Sequence, residues 1–289
     1  MQYEGNIIRP PSEADSIILQ VTVGCSHNHC TFCGAYRDKE FRLKDEKTVR
    51  EDIDFAAACC RRQKTVFLAD GDALAIPQAE LVRLLGRIRE KLPWVRRISL
   101  YANSRDILNR SAAELRILND LGLKRIYMGL ETGHDPTLKA ICKGAGSGEM
   151  IRAGRLVREA GIFLSVTVLL GIAGSSHSLD HALATARVLN EMEPRQIAVL
   201  TLMLMDNTPL GRQYRAGSFH LPDQDLLFRE LRALVGHIQG IKAQFQANHA
   251  SNYFTLDGRL PRDQEKFIAI IDQALSGTIE LKPETRRAL

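Results

Sequence analysis

No apolar run in the chain approaches the roughly 20 residues that a membrane-spanning helix needs, so no membrane partner is expected. The first residues, Met1-Gln2-Tyr3-Glu4-Gly5, lack the basic-then-apolar pattern of a secretory leader. Lys and Arg form no block of the kind that makes a nucleic-acid-binding arm. The net charge of +5 still leaves nucleic acid or an anionic small molecule open as a partner. Cysteine is scarce, with six in 289 residues, and free cysteines in a chain without an export signal lead us to expect a reducing cytoplasm. What remains is ordinary globular material, 45% hydrophobic and 25% charged. The length allows two domains or one α/β barrel with an addition.

The scarce cysteines are not spread evenly. Three of them, Cys25, Cys30 and Cys33, lie in the stretch Gly24-Cys25-Ser26-His27-Asn28-His29-Cys30-Thr31-Phe32-Cys33-Gly34. The run before it, Ile17 to Val23, is β-branched and ends in glycine, which predicts a buried strand leading into a loop. Three thiols on such a loop read as ligands of one inorganic centre. Zinc sites and fully protein-ligated iron–sulfur clusters take four protein ligands, whereas three thiolates on a cubane leave one iron open for chemistry. The same residues also fit half of a zinc site completed by His27, His29 or a distant ligand, or a disulfide pair with a spare thiol.

Strand and helix signals then alternate along the chain. Residues 47–62 carry Val49, Ile53, Ala57 and Cys60 at helical spacing, which places Cys60 in the core. Thr65 to Ala69 reads as a strand ending in Asp70-Gly71-Asp72-Ala73, and a helix after Pro77 turns Leu81, Leu84, Leu85 and Ile88 inward. Arg97 to Ala102 is a strand ending in Asn103-Ser104, and Ser111 with Glu114 makes a capping box. Arg125 to Leu130 is a strand ending in Glu131-Thr132-Gly133. It is followed by Lys143-Gly144-Ala145-Gly146 and a helix with Met150, Gly154 and Val157 inward. Phe163 to Leu170 is a strand ending in Gly171-Ile172-Ala173-Gly174. Ser178 is expected to cap the next helix, with Leu179, Leu183 and Ala186 inward, before a sixth strand, Ile197 to Met205. Six strand–helix units argue parallel strands joined by helical crossovers. Ligands of such sheets gather at the carboxyl ends of the strands. The cysteine loop, Asp72, Asn103 and Ser104, Glu131 and Gly171 are therefore expected at one mouth.

A cysteine loop after the first strand of a six-unit β/α chain resembles the radical S-adenosylmethionine superfamily. The usual spacing there is C-x3-C-x2-C, and this chain has C-x4-C-x2-C. Phe32 matches the aromatic residue before the third cysteine, and Asp70-Gly71-Asp72-Ala73 stands where the superfamily has its Gly-Gly-Glu motif. Gly129-Leu130-Glu131-Thr132-Gly133, Lys143-Gly144 and Ala160-Gly161-Ile162 are similar to the branch of the elongator catalytic subunit, methylthiotransferases and oxygen-independent coproporphyrinogen oxidases. The resemblance covers about residues 15–210. It implies an α/β fold, a partial (β/α)6 TIM-like barrel over residues 1–212, with a C-terminal α-rich extension over 213–289 that closes the barrel.

The resemblance also implies cofactors and roles. Cys25, Cys30 and Cys33 would hold a [4Fe–4S] cluster whose fourth iron binds S-adenosylmethionine, and an electron donor such as flavodoxin or ferredoxin would start cleavage to a 5′-deoxyadenosyl radical. Phe32, Gly71, Asp72, Ser104, Glu131, Lys143 and Gly171 would line the cofactor, with Asp72 on its ammonium and Glu131 on its ribose or amino group. Lys143, Arg152 or Arg155 would pair with its carboxylate, and Gly171, Leu202 and Met203 would lie under the adenine. In the extension, Gln244 to Tyr253 reads as an edge strand that brings His249, Ser251 and Asn252 to the substrate, or as a polar turn before a final helix with Phe267, Ile270, Ile271 and Leu275 inward. The chain has no second cysteine cluster, so an auxiliary cluster and methylthio transfer are not expected. A small-molecule substrate is expected by elimination; a non-catalytic metal-binding sensor and a modifier of RNA or protein are the alternatives.

Overall fold

A computed structural model describes residues 1–288. In chain order the regular elements begin with β1 (Ile17–Gln20), β2 (Thr22–Val23), β3 (Arg42–Leu43), α1 (Glu46–Cys59), β4 (Thr65–Ala69) and α2 (Gln78–Lys91). Next come β5 (Arg97–Tyr101), α3 (Ser104–Leu108), α4 (Ala112–Asp120), β6 (Leu123–Glu131), α5 (Asp135–Ala140), α6 (Ser147–Glu159), β7 (Phe163–Leu170), α7 (Ser178–Met192) and β8 (Gln196–Thr201). The last are α8 (Pro209–Arg215), α9 (Gln224–His237), β9 (Gln244–Ala247), β10 (Leu256–Arg259) and α10 (Gln264–Leu275). Two compact units result. The first is Met1–Asn28, Ala35–Met128 and Leu156–Leu164, and the second is His29–Gly34, Gly129–Arg155 and Ser165–Leu289.

In the first unit β1, β4, β5 and β6 pair side by side in parallel, with Leu19 opposite Leu68, Leu68 opposite Leu100 and Leu100 opposite Ile126. These strands read as near-continuous apolar runs because both faces of a parallel sheet are covered. Phe67, Tyr101 and Tyr127 meet edge to face, with centroids 5.2 to 6.1 Å apart. Ser111 and Glu114 form the expected capping box at the start of α4, a feature that stabilises a helix by about 1 kcal/mol. Cys60 departs from expectation. It follows the last residue of α1 as a half-buried C-cap, while Val49, Asp52, Ile53 and Ala56 form the buried face.

In the second unit β7, β8 and β9 pair in parallel and β10 returns antiparallel on β9. The Gln244 stretch is therefore an inner strand, not an edge. α7 also departs from expectation. Leu179 and Leu183 are 48% and 43% exposed, and the buried residues are Ser178, His181, Ala182, Thr185, Ala186, Val188, Leu189 and Met192. Ser178 does not cap this helix; it is its first residue, and its hydroxyl donates to Glu230 of α9. Among the described residues no helix is long and apolar enough to cross a membrane.

Candidate functional site

The strand ends of the first unit gather polar groups around Cys25. Gly71 follows β4, and a Cβ added to it would come within 2.8 Å of Cys25 Cβ and of the Tyr36 ring, so only glycine allows this approach. Asp72 is fully buried. Its Oδ2 accepts from Ser26 Oγ at 2.5 Å and from Asn103 Nδ2 at 2.8 Å. Asn103 Nδ2 also stands 3.9 Å from Cys25 Sγ. Ser26 is 3.4 Å from Asp106 Oδ2, and Arg105 reaches both Ser26 and Asp106. Burial pushes the Asp72 carboxyl up to about 8, and the neighbouring Asp106 carboxyl adds to the rise against the opposing bonds from Ser26 and Asn103. Ser104 opens α3 and is buried.

In the second unit Cys30 and Cys33 bracket a turn, with the Cys33 N–H donating to Cys30 O at 3.3 Å. Thr31 is pinned on both sides: its N–H donates to Ile141 O at 2.9 Å and its carbonyl accepts from Leu210 N at 3.0 Å. Phe32 packs on the apolar cluster of Ile141, Leu169, Ile172, Leu202 and Leu210. Gly34 is as confined as Gly71, since a Cβ there would lie 2.7 Å from Met205 Sδ.

Glu131 ends β6 with a φ of 63°, and its carboxylate folds back over Gly129 to meet Lys143 Nζ at 3.0 Å. Arg155 instead pairs with Glu191 at the surface. Behind Glu131 runs a fully buried chain of polar groups. Thr132 Oγ1 is 2.6 Å from His181 Nδ1, and His181 Nε2 is 3.3 Å from Glu230 Oε1. Glu230 Oε1 accepts from Gly171 N at 2.7 Å. Gly171 has a φ of 81°, and Leu227 of α9 packs against it. Sequence reading missed Asp106, His181 and Glu230. Glu230 did leave a signal, because it falls on the inward stripe of Leu227, Leu231 and Leu234 (i+3, i+4 and i+7 from Leu227), where a charge needs a buried partner.

Ser251 and Asn252 are buried and tied to β8. Thr201 N donates to Ser251 Oγ at 3.2 Å, and Asn252 Nδ2 donates to Val199 O at 2.8 Å. His249 Nδ1 stands 2.9 Å from Ser251 Oγ. Burial, helped by the Lys282 ammonium, lowers the His249 imidazole below its ordinary value.

The sequence profile of the radical SAM superfamily matches residues 19–189. The chain is similar to the heme chaperone HemW of Bacillus subtilis (strain 168), at 25% identity over 164 residues, which is 56% of this chain and 42% of that protein. It is also similar to the anaerobilin synthase of Escherichia coli O157:H7, at 24% identity over 204 residues, 67% of this chain and 45% of the relative. It thus spans about half the length of the curated relatives it matches. Among solved structures, coproporphyrinogen III oxidase (HemN) from Escherichia coli, a radical SAM enzyme, superposes with a TM-score of 0.57 at 14% identity, covering 78% of this chain and 54% of that one. TsrM from Kitasatospora setae, a radical S-adenosylmethionine methyltransferase with cobalamin and a [4Fe-4S] cluster bound, superposes with a TM-score of 0.58 at 20% identity over 71% of this chain and 41% of its own. The shared feature is the fold, the TIM-like α/β arrangement expected from the sequence.

Proposed function

The chain belongs to the radical SAM superfamily of enzymes, which use a [4Fe–4S] cluster and S-adenosylmethionine, and on that premise we propose that Cys25, Cys30 and Cys33 hold three irons of such a cluster. The donor atoms are of the right kind, and among the described residues no three His, Cys, Asp or Glu side chains already stand gathered as a metal site. None of the cysteines is in a disulfide, and the glycines beside the loop leave no room for side chains that would crowd it. Three soft thiolates from one loop suit a cluster with one open iron. When bound, the cluster supplies the electron that breaks a carbon–sulfur bond of the cofactor.

The chain's own residues bind and orient. The observation that carries this reading is Asp72, a buried acid tied to the residue after Cys25. Asp72 would receive the cofactor ammonium, Gly71 would let the cofactor approach the backbone, and Ser104 would lie beside them. Glu131 would meet the ribose hydroxyls, with Lys143 fixing its carboxylate or turning to the cofactor carboxylate. Gly171 and Phe32 would give apolar contact. Residues 1–212 carry this machinery, and the extension over 213–289, with His249, Ser251 and Asn252, contributes the substrate side. The substrate is a small molecule, and the electron comes from a flavodoxin- or ferredoxin-type donor in the cytoplasm. Because a similar protein is a heme chaperone, heme is the first ligand to assay.

Anaerobic reconstitution with iron and sulfide tests the reading. The protein should gain the broad visible absorption of an iron–sulfur cluster and, once reduced, convert S-adenosylmethionine to 5′-deoxyadenosine. Release of methylthioadenosine would mean that the carbon–sulfur bond to the amino-acid side is cleaved instead. Cys30→Ala should lose both cluster and turnover; a variant with full iron content and activity would sink the ligand assignment.

A further inference from the structure

Asp70 is a costly residue to bury. It is fully enclosed, and its Oδ1 has no hydrogen-bond partner. A carboxylate taken out of water with one oxygen unsatisfied does not serve stability. Its other oxygen does something specific. Oδ2 accepts from the Gly24 N–H at 3.1 Å and from Gln20 Nε2 at 3.2 Å, and lies 3.5 Å from Lys39 Nζ. Gly24 is the residue immediately before Cys25, and its carbonyl accepts from Gly71 N at 3.1 Å. Both polar backbone groups of Gly24 are thus held by two consecutive residues at the end of β4.

Lys39 sits on the returning arm of the same loop. Its ammonium lies 5.5 Å from the centroid of the Tyr36 ring and donates to the carbonyls of Glu4 and Asn6 at 3.2 Å each. Asn28 closes the arm from inside, donating to Tyr36 O at 2.7 Å and to Lys39 O at 3.2 Å. The Lys39 side chain is only 11% exposed and that of Asp70 is 0% exposed, so their attraction is little screened.

We propose that the Asp70–Lys39 ion pair is a positioning device for Cys25, joining both arms of the cysteine loop and fixing the peptide that presents the first thiolate to iron. The inference rests on the reading of Cys25 as a cluster ligand. A loop with four residues between its first two cysteines has more backbone to order than a shorter one. The pair orders that backbone before the metal arrives.

Lys39→Met, Asp70→Asn, the double variant and Lys39→Arg test the device in the full chain under anaerobic reconstitution. Each single variant should keep the wild-type far-ultraviolet circular dichroism, yet lose iron to a chelator roughly 10- to 100-fold faster and show an altered electron paramagnetic resonance line shape when reduced. The double variant should lose iron no faster than the worse single variant, because the two effects belong to one interaction. Lys39→Arg should restore most of the retention. Wild-type release rates and spectra in both single variants would overturn the proposal. If Asp70→Asn does not fold, Lys39→Met decides alone by the same two readouts. A wild-type protein that takes up no cluster would instead overturn the reading of Cys25, and the proposal with it.

Discussion

A carboxyl that holds its proton near neutral pH is an unusual receptor for a cation. Asp72 is raised to about 8 by burial and by Asp106, whereas an aspartate in the unfolded chain titrates near about 3.9. Between those values the native state carries one proton more than the unfolded state. Stability of the cofactor-free protein therefore falls as pH rises through that window, by at most about 1.4 kcal/mol per unit. Binding a cofactor ammonium requires the ionised form, so binding expels the proton and affinity should rise with pH. The rise should approach tenfold per unit below about pH 8 and turn over where an α-amino group loses its own proton, near about 7.7–8.0. Isothermal titration of S-adenosylmethionine into the reconstituted protein across this range, in buffers of different ionisation heat, measures both affinity and proton release. Asp72→Asn should bind more weakly, without proton release, and should flatten the pH dependence of thermal unfolding. A wild-type affinity independent of pH would remove Asp72 from the cofactor. Asp72 could be singled out in the sequence because it stands at a strand end. Its protonation could not, because that depends first on burial and then on Asp106, 34 residues away, and both come only with the fold.

Elements divide in the same way. The strands from β4 to β8 were legible because a buried parallel strand is a short β-branched run closed by turn residues, although β8 stops at Thr201 and not at Met205. β10 was not, since Leu256-Asp257-Gly258-Arg259 has no β-branched residue and pairs only because β9 offers it an edge. The inward face of α7 was misread for a related reason. Leu179 and Leu183 outweigh Ala182, Thr185 and Ala186 in hydrophobicity, yet the small residues face inward because the helix lies close against Gly133. A Cβ on Gly133 would collide with Ala184 O and stand 2.7 Å from Thr185 Cα. Close packing also explains why the buried polar chain runs through α7. His181 joins Thr132, next to Glu131, to Glu230 of α9, which holds Gly171. Glu230→Gln keeps the shape but loses the charge that faces His181 and the donors of Gly171 and Ser178. The expected result is a loss of about 1–3 kcal/mol of stability and a rise in the Kd for S-adenosylmethionine at unchanged iron content. Glu230→Ala should cost more stability, since it leaves the donors of Gly171 and Ser178 unpaired. Unchanged cofactor affinity in a folded Glu230→Gln protein would confine this network to a structural role.

At the scale of the whole molecule the excess of basic residues, +5 over 289 residues, bears on the proposed electron donor. Thirty-nine Lys and Arg set against 34 Asp and Glu give a weak positive field rather than a basic arm, so the field steers encounters and adds little to affinity. A strongly acidic one-electron donor of the flavodoxin or ferredoxin type should feel it. At about 0.01 M ionic strength the Debye length is about 30 Å, and at about 0.15 M it is about 8 Å. The second-order rate of cluster reduction by such a donor should therefore fall several-fold across that range, with most of the change in association rather than dissociation. Stopped-flow bleaching of the cluster absorption reads the rate directly. A chemical reductant in large excess, which needs no docking surface, should give turnover that varies much less with salt. If the protein donor reduces the cluster equally fast at both salt concentrations, the basic excess has no part in electron delivery, and the donor must dock through uncharged contacts.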